Sequence, residues 1–417
     1  MTLHPLIAAL RKHKAGAILI AMQIALTLAI VCNAVFIIGQ RIERIHRPTG
    51  LDENDLFLVS QQWVGAPSGD DAASTDKLDA MLRADLAALR ALPDVAAVTP
   101  INSLPLLNSS WNGSIALKPG NNDFSGPART TYYFADDQAL AALGLKLVAG
   151  RAFTAADIEH RAFRDQAQPA QVMLTQALTD KLFPGVPAVG KVVYLDGGSK
   201  PSTIVGVLAR LQVPSTGDWT NNFTWNATLE PVRLNANFSR YAIRAKPGRM
   251  QAAMKAVPGT LYAVDPMRVL EDDNIQSFAQ IREKAYRADV GMAILMGVIC
   301  VILLAVTTAG IVGLTSFWVG QRRRQIGVRR ALGARKVDIL RYFQAENLLI
   351  AGVGTLLGIV LAIALNLLLM KYFEMKHLPV PYVLVGVAVV LALGQGAVYG
   401  PARRAANVPP VEATRAV

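Results

Sequence analysis

Four apolar runs punctuate the chain: Ala15–Gly39, Val290–Trp318, Leu348–Met370 and Pro381–Val398. Each supplies the roughly 17–25 apolar residues that a membrane-crossing helix needs. The pattern predicts a polar start (residues 1–14), a first span (15–39), a large inserted domain with flanking helices (40–288) and a second span (289–318). A polar segment (319–347), a third span (348–370), a short turn (371–380), a fourth span (381–399) and a tail (400–417) follow. Gln23 and Asn33 interrupt the first run and are expected to face other helices rather than lipid.

The inserted domain alternates between two periods. Leu56–Ser60 and Val95–Thr99 read as strands around a helix over Thr75–Ala91, whose Leu78, Leu82, Leu86 and Leu89 share a face. Pro93-Asp94 ends that helix. Further helices are predicted over Asp136–Leu143 and Gln176–Phe183, and a strand over Val172–Thr175. Lys191–Leu195 and Thr203–Leu208 bracket Asp196-Gly197-Gly198 as a hairpin. Ser239–Ala245 and Leu261–Val264 read as closing strands, Ser103–Thr131 as loop or short strands, and Gln212–Asn237 as a polar, aromatic-containing insert. The fold class is therefore α+β, carried between spans one and two. Ile38, Ile42 and Ile45 on one side, and Ile275, Phe278 and Ile281 on the other, suggest paired stalk helices.

Charge fixes the expected sidedness. The net charge is +12, yet Gln40–Ala288 holds 26 Lys/Arg against 25 Asp/Glu. The excess sits beside the spans: Arg11, Lys12 and Lys14, then eight Lys/Arg against one Asp between Gln321 and Arg341, then Arg403 and Arg404. Short loops this basic stay in the cytoplasm, which puts both termini there and the inserted domain outside. The same distribution argues against a nucleic-acid site and for contact with membrane lipids. Both cysteines, Cys32 and Cys300, fall within apolar runs, so no disulfide staples the inserted domain. Residues 29–31 lack the small residue that a lipid-attachment site wants before Cys32, and the first run reads as a retained anchor rather than a cleaved leader.

Catalytic chemistry finds little support. Gly185–Lys191 fits the first seven positions of a phosphate-binding loop, but Val192 stands where Ser or Thr should hold magnesium, and a strand rather than a helix follows. His4, His13, His46, His160 and His377 show no helical ligand spacing. Asp70-Asp71 and Asp136-Asp137 read as solvated or capping pairs, and Trp63, Trp111, Trp219 and Trp225 as packed aromatics or a binding surface.

The basic segment itself carries a helical pattern on both sides of Gly333, with Val337, Leu340, Phe343 and Asn347 recurring into the third span. On charge alone it is a solvated loop. Its residues Arg324-Gln325-Ile326-Gly327-Val328-Arg329-Arg330-Ala331-Leu332-Gly333-Ala334, followed by Ile339, Phe343 and Glu346, resemble the R-E-I-G-I-R-x-A-x-G-A signature of the FtsX/MacB-like permeases of ABC transporters. Gly150–Thr154, Leu182-Phe183-Pro184, Val189–Lys191 and Ile204–Leu208 resemble the same family's periplasmic core domain. Tyr399–Ala406 and Pro409–Ala413 resemble its C-terminal end.

The resemblance implies a coupling helix built from Arg323, Arg324, Gln325, Ile326, Gly327, Arg329, Arg330, Gly333, Ala334 and Glu346, docked in a groove of a separate cytoplasmic ABC ATPase dimer. It implies ATP and magnesium bound by that partner and no cofactor on this chain. It also implies a second permease copy or paralogue, and a periplasmic adaptor or other partner. Gln325 stands where the family usually has Glu. The expected function is a permease of the inner membrane that turns ATPase motion into movement of its periplasmic domain, exporting or extracting a drug, peptide, lipid or lipoprotein. The alternative is a regulator that uses the same motion to switch a periplasmic partner such as a cell-wall hydrolase. An enzyme with an outer active site lacks a catalytic constellation.

Overall fold

The computed structural model describes residues 14–67, 70–121, 128–165, 167–373 and 377–407. The expected polar start, most of the tail with its Pro409–Ala413 motif, and part of the turn after the third span lie outside these residues. The chain divides into two units: Arg47–Arg287, and the flanking Met1–His46 with Ala288–Val417. Helix α1 (Lys14–Ile45) opens the second of these.

The inserted unit is built on two sheets. Strand β1 (Leu56–Trp63), helix α2 (Ala72–Arg90) and strand β2 (Val95–Pro100) form its strand–helix–strand start. Asp71 caps α2 by accepting from the Ser74 amide (3.0 Å), a local bond that replaces a missing helical partner. There follow β3 (Trp111–Ala116), β4 (Arg129–Ala135), α3 (Ala139–Leu143), β5 (Leu147–Gly150), β6 (Glu159–Ala162) and β7 (Gln171–Thr175). Next come α4 (Gln176–Leu182), β8 (Val192–Leu195), β9 (Ser202–Leu208), β10 (Ala227–Asn235) and β11 (Phe238–Ala245). Helix α5 (Met250–Val264), β12 (Arg268–Val269) and β13 (Ile275–Ser277) complete the unit.

Antiparallel β12, β1, β11 and β2 make one sheet, with β13 also paired to β1. Leu82, Leu86 and Leu89 of α2 and Val257 and Leu261 of α5 pack on it against Phe57 and Ile243. The other strands close a ring, β4–β3–β8–β9–β7–β10 and back to β4, with β5 on β9 and β6 on β10.

Two stretches depart from their predicted class. The polar insert Gln212–Asn237 contains β10, which pairs with β4 through Pro231 and with β6 from Val232 onward. Pro231 has no amide to donate, and it sits where the strand changes partners. Leu261–Val264 is the last turn of α5, not a strand. Ala253, Val257 and Leu261 recur at four-residue spacing and are fully buried, and this packing outweighs the helix-weakening Pro258. Gly185 and Gly190 turn the chain into strand β8, so the segment resembling a phosphate loop is a turn before a strand.

Arg268, Arg161 and Arg233 of this unit each meet a carboxylate. Arg268 grips Asp85 with two bonds of 2.8 and 2.9 Å, both side chains fully buried, and Tyr241 donates to the same carboxylate (2.7 Å). Arg161 holds Glu230 at 2.5 Å, and Arg233 holds Asp79 at 2.7 Å. Burial pushes the Glu230 carboxyl up to about 7, against the opposing pull of Arg161.

The second unit is helical. Helix α6 (Phe278–Gln321) is one unbroken element of 44 residues. Then come α7 (Arg323–Ala331), α8 (Lys336–Phe373) and α9 (Val380–Ala406). α1, α6, α8 and α9 are each long and apolar enough to cross a membrane. Added Cβ atoms on Gly354 and Gly358 would press on the Ala21 and Ala25 carbonyl oxygens at 2.7 and 3.0 Å, so these glycines let α8 lie close against α1. Asn33 donates to the Ala362 carbonyl of α8 (3.0 Å), and Thr27 bonds Thr307 of α6 (2.7 Å). The polar residues of the first span thus serve helix contacts. At the end of α1, Arg41 bridges to Asp289 (2.5 Å), while Ile42 of the expected stalk stripe is exposed.

Candidate functional site

The basic segment folds into a short helix hung between two spans. α6 ends at Gln321, and α7 starts two residues later, after Arg322. Gly333, with φ +98°, ends α7. The Gly333 amide donates to the Arg330 carbonyl and the Ala334 amide to the Arg329 carbonyl (both 3.1 Å). That pair of bonds is a Schellman motif, which a glycine accommodates without strain. Asp338 then accepts from the Arg335 amide (3.0 Å) and opens α8.

The inner face of α7 is fixed by packing and charge. Ile326 and Gly327 are buried, and Ile326 joins a core with Ile339, Phe343, Ala402 and Ala405. Glu346 is buried and receives two bonds from Arg322, at 2.9 and 3.1 Å. Arg330 donates to the Ala406 carbonyl in the last turn of α9 (2.7 Å), where a cation also meets the negative end of the helix dipole. α7 is thus tied to α8 and α9 as well as following α6.

The outer face holds Arg323, Arg324, Gln325 and Arg329, all exposed. Arg329 lies over the Tyr342 ring at 5.1 Å. Among the expected site residues, Gly333 is exposed, Ala334 is half-buried, and Glu346 faces inward with its carboxylate committed to Arg322. Sequence reasoning missed the apolar part of this surface. Val328 and Leu332 stand one turn apart, and Leu332 is 83 % exposed, more than any other large apolar side chain among the described residues. Val337, 51 % exposed, follows at the start of α8. The spacing Arg324, Val328, Leu332 at i, i+4 and i+8 was available as a signal. A rigid, cationic helix bearing an apolar knob is suited to a partner groove with acidic rims and an apolar floor.

Two family models meet on this chain. The model of the MacB-like periplasmic core domain matches residues 21–259, and that of the FtsX-like permease C-terminal region matches residues 297–410, which include α7. The chain belongs to the FtsX/MacB-like permeases. It is accordingly a MacB-like ABC transporter permease, a multi-pass inner-membrane protein with an α+β periplasmic core domain between its first and second apolar helices.

Among curated relatives, the macrolide export ATP-binding/permease protein MacB 1 of Yersinia pestis is 28 % identical over 84 % of this chain and 51 % of its own length. MacB of Chromobacterium violaceum is 27 % identical over 65 % of this chain and 41 % of its own. The chain spans about half the length of the curated relatives it matches. The solved periplasmic region of MacB from Actinobacillus actinomycetemcomitans is 16 % identical, with 58 % of this chain and 97 % of that one covered at a TM-score of 0.35.

Proposed function

We propose that this permease takes up the motion of an ABC ATPase dimer through α7 and passes it to the periplasmic core domain. The observation that carries the proposal is the division of α7 into a braced face and a free one. Arg322–Glu346 and Arg330–Ala406 fasten the helix to the spans, while Arg324, Arg329, Val328 and Leu332 stand outward. A push on that outer face reaches α6 and α8 directly, because α7 is short and both connections are tight. The basic charge of the segment supports a cytoplasmic position for α7 and for both termini.

ATP and magnesium belong to the ATPase in this reading. The curated relatives carry the words ATP-binding in their names, and Gly185–Lys191 of this chain is not followed by the Ser or Thr that would hold magnesium. Gln325 is exposed and uncharged, so its contact with the ATPase is a neutral hydrogen bond, where a glutamate would offer an ion pair. A second permease copy, membrane lipids and a periplasmic adaptor complete the assembly. The naming of relatives for macrolide export supports export of a drug-like cargo over peptide, lipid or lipoprotein.

Reversing charge at Arg324 and Arg329 tests the assignment. With the partner ATPase co-reconstituted, the double variant R324E/R329E is expected to insert normally and to lose at least tenfold of the permease-dependent ATPase stimulation. Stimulation equal to that of the wild type would remove α7 as the coupling element.

A further inference from the structure

The periplasmic core domain holds a cavity of about 260 Å³ where the chain passes from β10 of the ring to β11 of the flat sheet. Aromatic and aliphatic side chains form most of its wall, with Asn102, Ser109, Ser110 and Ser239 supplying polar positions. Trp111 meets Phe134 and Phe163 edge to face at 5.2 and 5.5 Å, and Phe163 meets Phe238 at 5.3 Å. Leu82 and Val232 lie behind them. Phe238, 38 % exposed, stands at the mouth, where the cavity adjoins a second hollow that shares Phe163 and Phe238.

Arg240 lines the same cavity. Its hydrogen bond runs from Nη1 to the Asn102 carbonyl (2.5 Å), and no carboxylate lies within ion-pair distance of it among the described residues. The contrast within the domain is plain. Arg90, Arg161, Arg233 and Arg268 are partly or fully buried, and each is held by Asp or Glu. Burial depresses the Arg240 pKa with nothing acidic to offset it. A guanidinium carries five donors in a fixed fork that matches a carboxylate, and here most of the fork is unmet beside an aromatic wall.

We propose that this cavity binds a small amphipathic carboxylate, its ring or short chain among Trp111, Phe134, Phe163 and Phe238 and its carboxylate on Arg240. The volume lies below the ~300–1,000 Å³ of drug-sized pockets, which selects a single ring or a short acyl chain over a macrocycle. The inference is independent of the coupling role assigned to α7.

The probe is 4-phenylbutyrate, with its uncharged amide and inorganic phosphate as controls. Binding to the full chain in lipid nanodiscs is followed by calorimetry. The acid is expected to bind saturably, and R240Q to weaken it by about 10- to 100-fold, the range for a lost charge-assisted hydrogen bond. The amide is expected to bind wild type and R240Q alike, and F238A to weaken both compounds. R240K keeps the charge and is expected to retain binding within about tenfold, which separates lost charge from lost structure. Tight binding of phosphate alone would replace the amphiphile by a bare anion. No saturable binding of the acid, or equal binding of acid and amide by the wild type, would overturn the proposal.

Discussion

Two sets of arginines divide this molecule. In the periplasmic core domain Arg161, Arg233 and Arg268 lie inside, each against a carboxylate. On α7, Arg323, Arg324 and Arg329 stand in the open. The first set has its countercharge within the fold, so the domain is nearly neutral and its arginines specify its packing. The second set leaves its charge for something else to meet. Arg322 shows both habits within one sequence motif: it lies beside Arg323 and Arg324, yet it turns inward to Glu346. Neighbouring residues of one type thus serve the fold or the partner according to which side of a short helix they occupy.

The sharpest way to break this contrast is to strip a buried arginine of its partner. Asp85→Ala leaves Arg268 fully buried and unpaired and also removes the acceptor of Tyr241. A loss of about 3–5 kcal/mol is expected for a stranded buried charge, read as urea unfolding of the core domain by tryptophan fluorescence. A loss below about 1 kcal/mol would mean that pairing contributes little to this fold.

A smaller effect follows from Glu230. Burial raises its carboxyl from the ordinary 4.5 to about 7 in the folded protein, with Arg161 pulling the other way. Between those values the folded state binds more protons, so this group's contribution is full below about pH 4.5 and fades as pH rises through about 7. Glu230→Gln is expected to remove that slope, about 1–3 kcal/mol over the interval, measured as the difference in pH-dependent stability between the two proteins. Parallel pH curves would show that Arg161 keeps Glu230 ionised throughout.

The sequence carried the spans, the α+β class and the cationic side of α7 because each is a local pattern. A run of apolar residues, a repeat of leucines at Leu78, Leu82, Leu86 and Leu89, or a cluster of arginines can be read without knowing what it touches. Strand β10 could not be read that way. Glu230 and Pro231 spoil its alternation, and their presence makes sense only once Arg161 and the change of partner strand are seen. The end of α5 failed for the converse reason, since Pro258-Gly259 signals a break that the buried Val257 and Leu261 override. At the candidate site the motif marked a helix ended by Gly333 and counted Glu346 among the coupling residues without showing which way it faces. Only the fold shows it satisfied by Arg322, and only the fold exposes Leu332.

Leu332 gives the finest test of the contrast, because it asks whether an exposed residue beside the free arginines serves the partner alone. At 83 % exposure it buries little apolar area in this chain, and a surface change of this kind is expected to alter stability by no more than about 0.5 kcal/mol. Ile326, six residues earlier, is its opposite: buried in the core with Ile339 and Phe343. Leu332→Ser should therefore leave the thermal midpoint of the permease unchanged while reducing its stimulation of the ATPase. Ile326→Ser should lower both, through loss of packing under α7. If Leu332→Ser destabilised the permease as much as Ile326→Ser, the outer face of α7 would belong to the fold, and the distinction between its two sides would be lost.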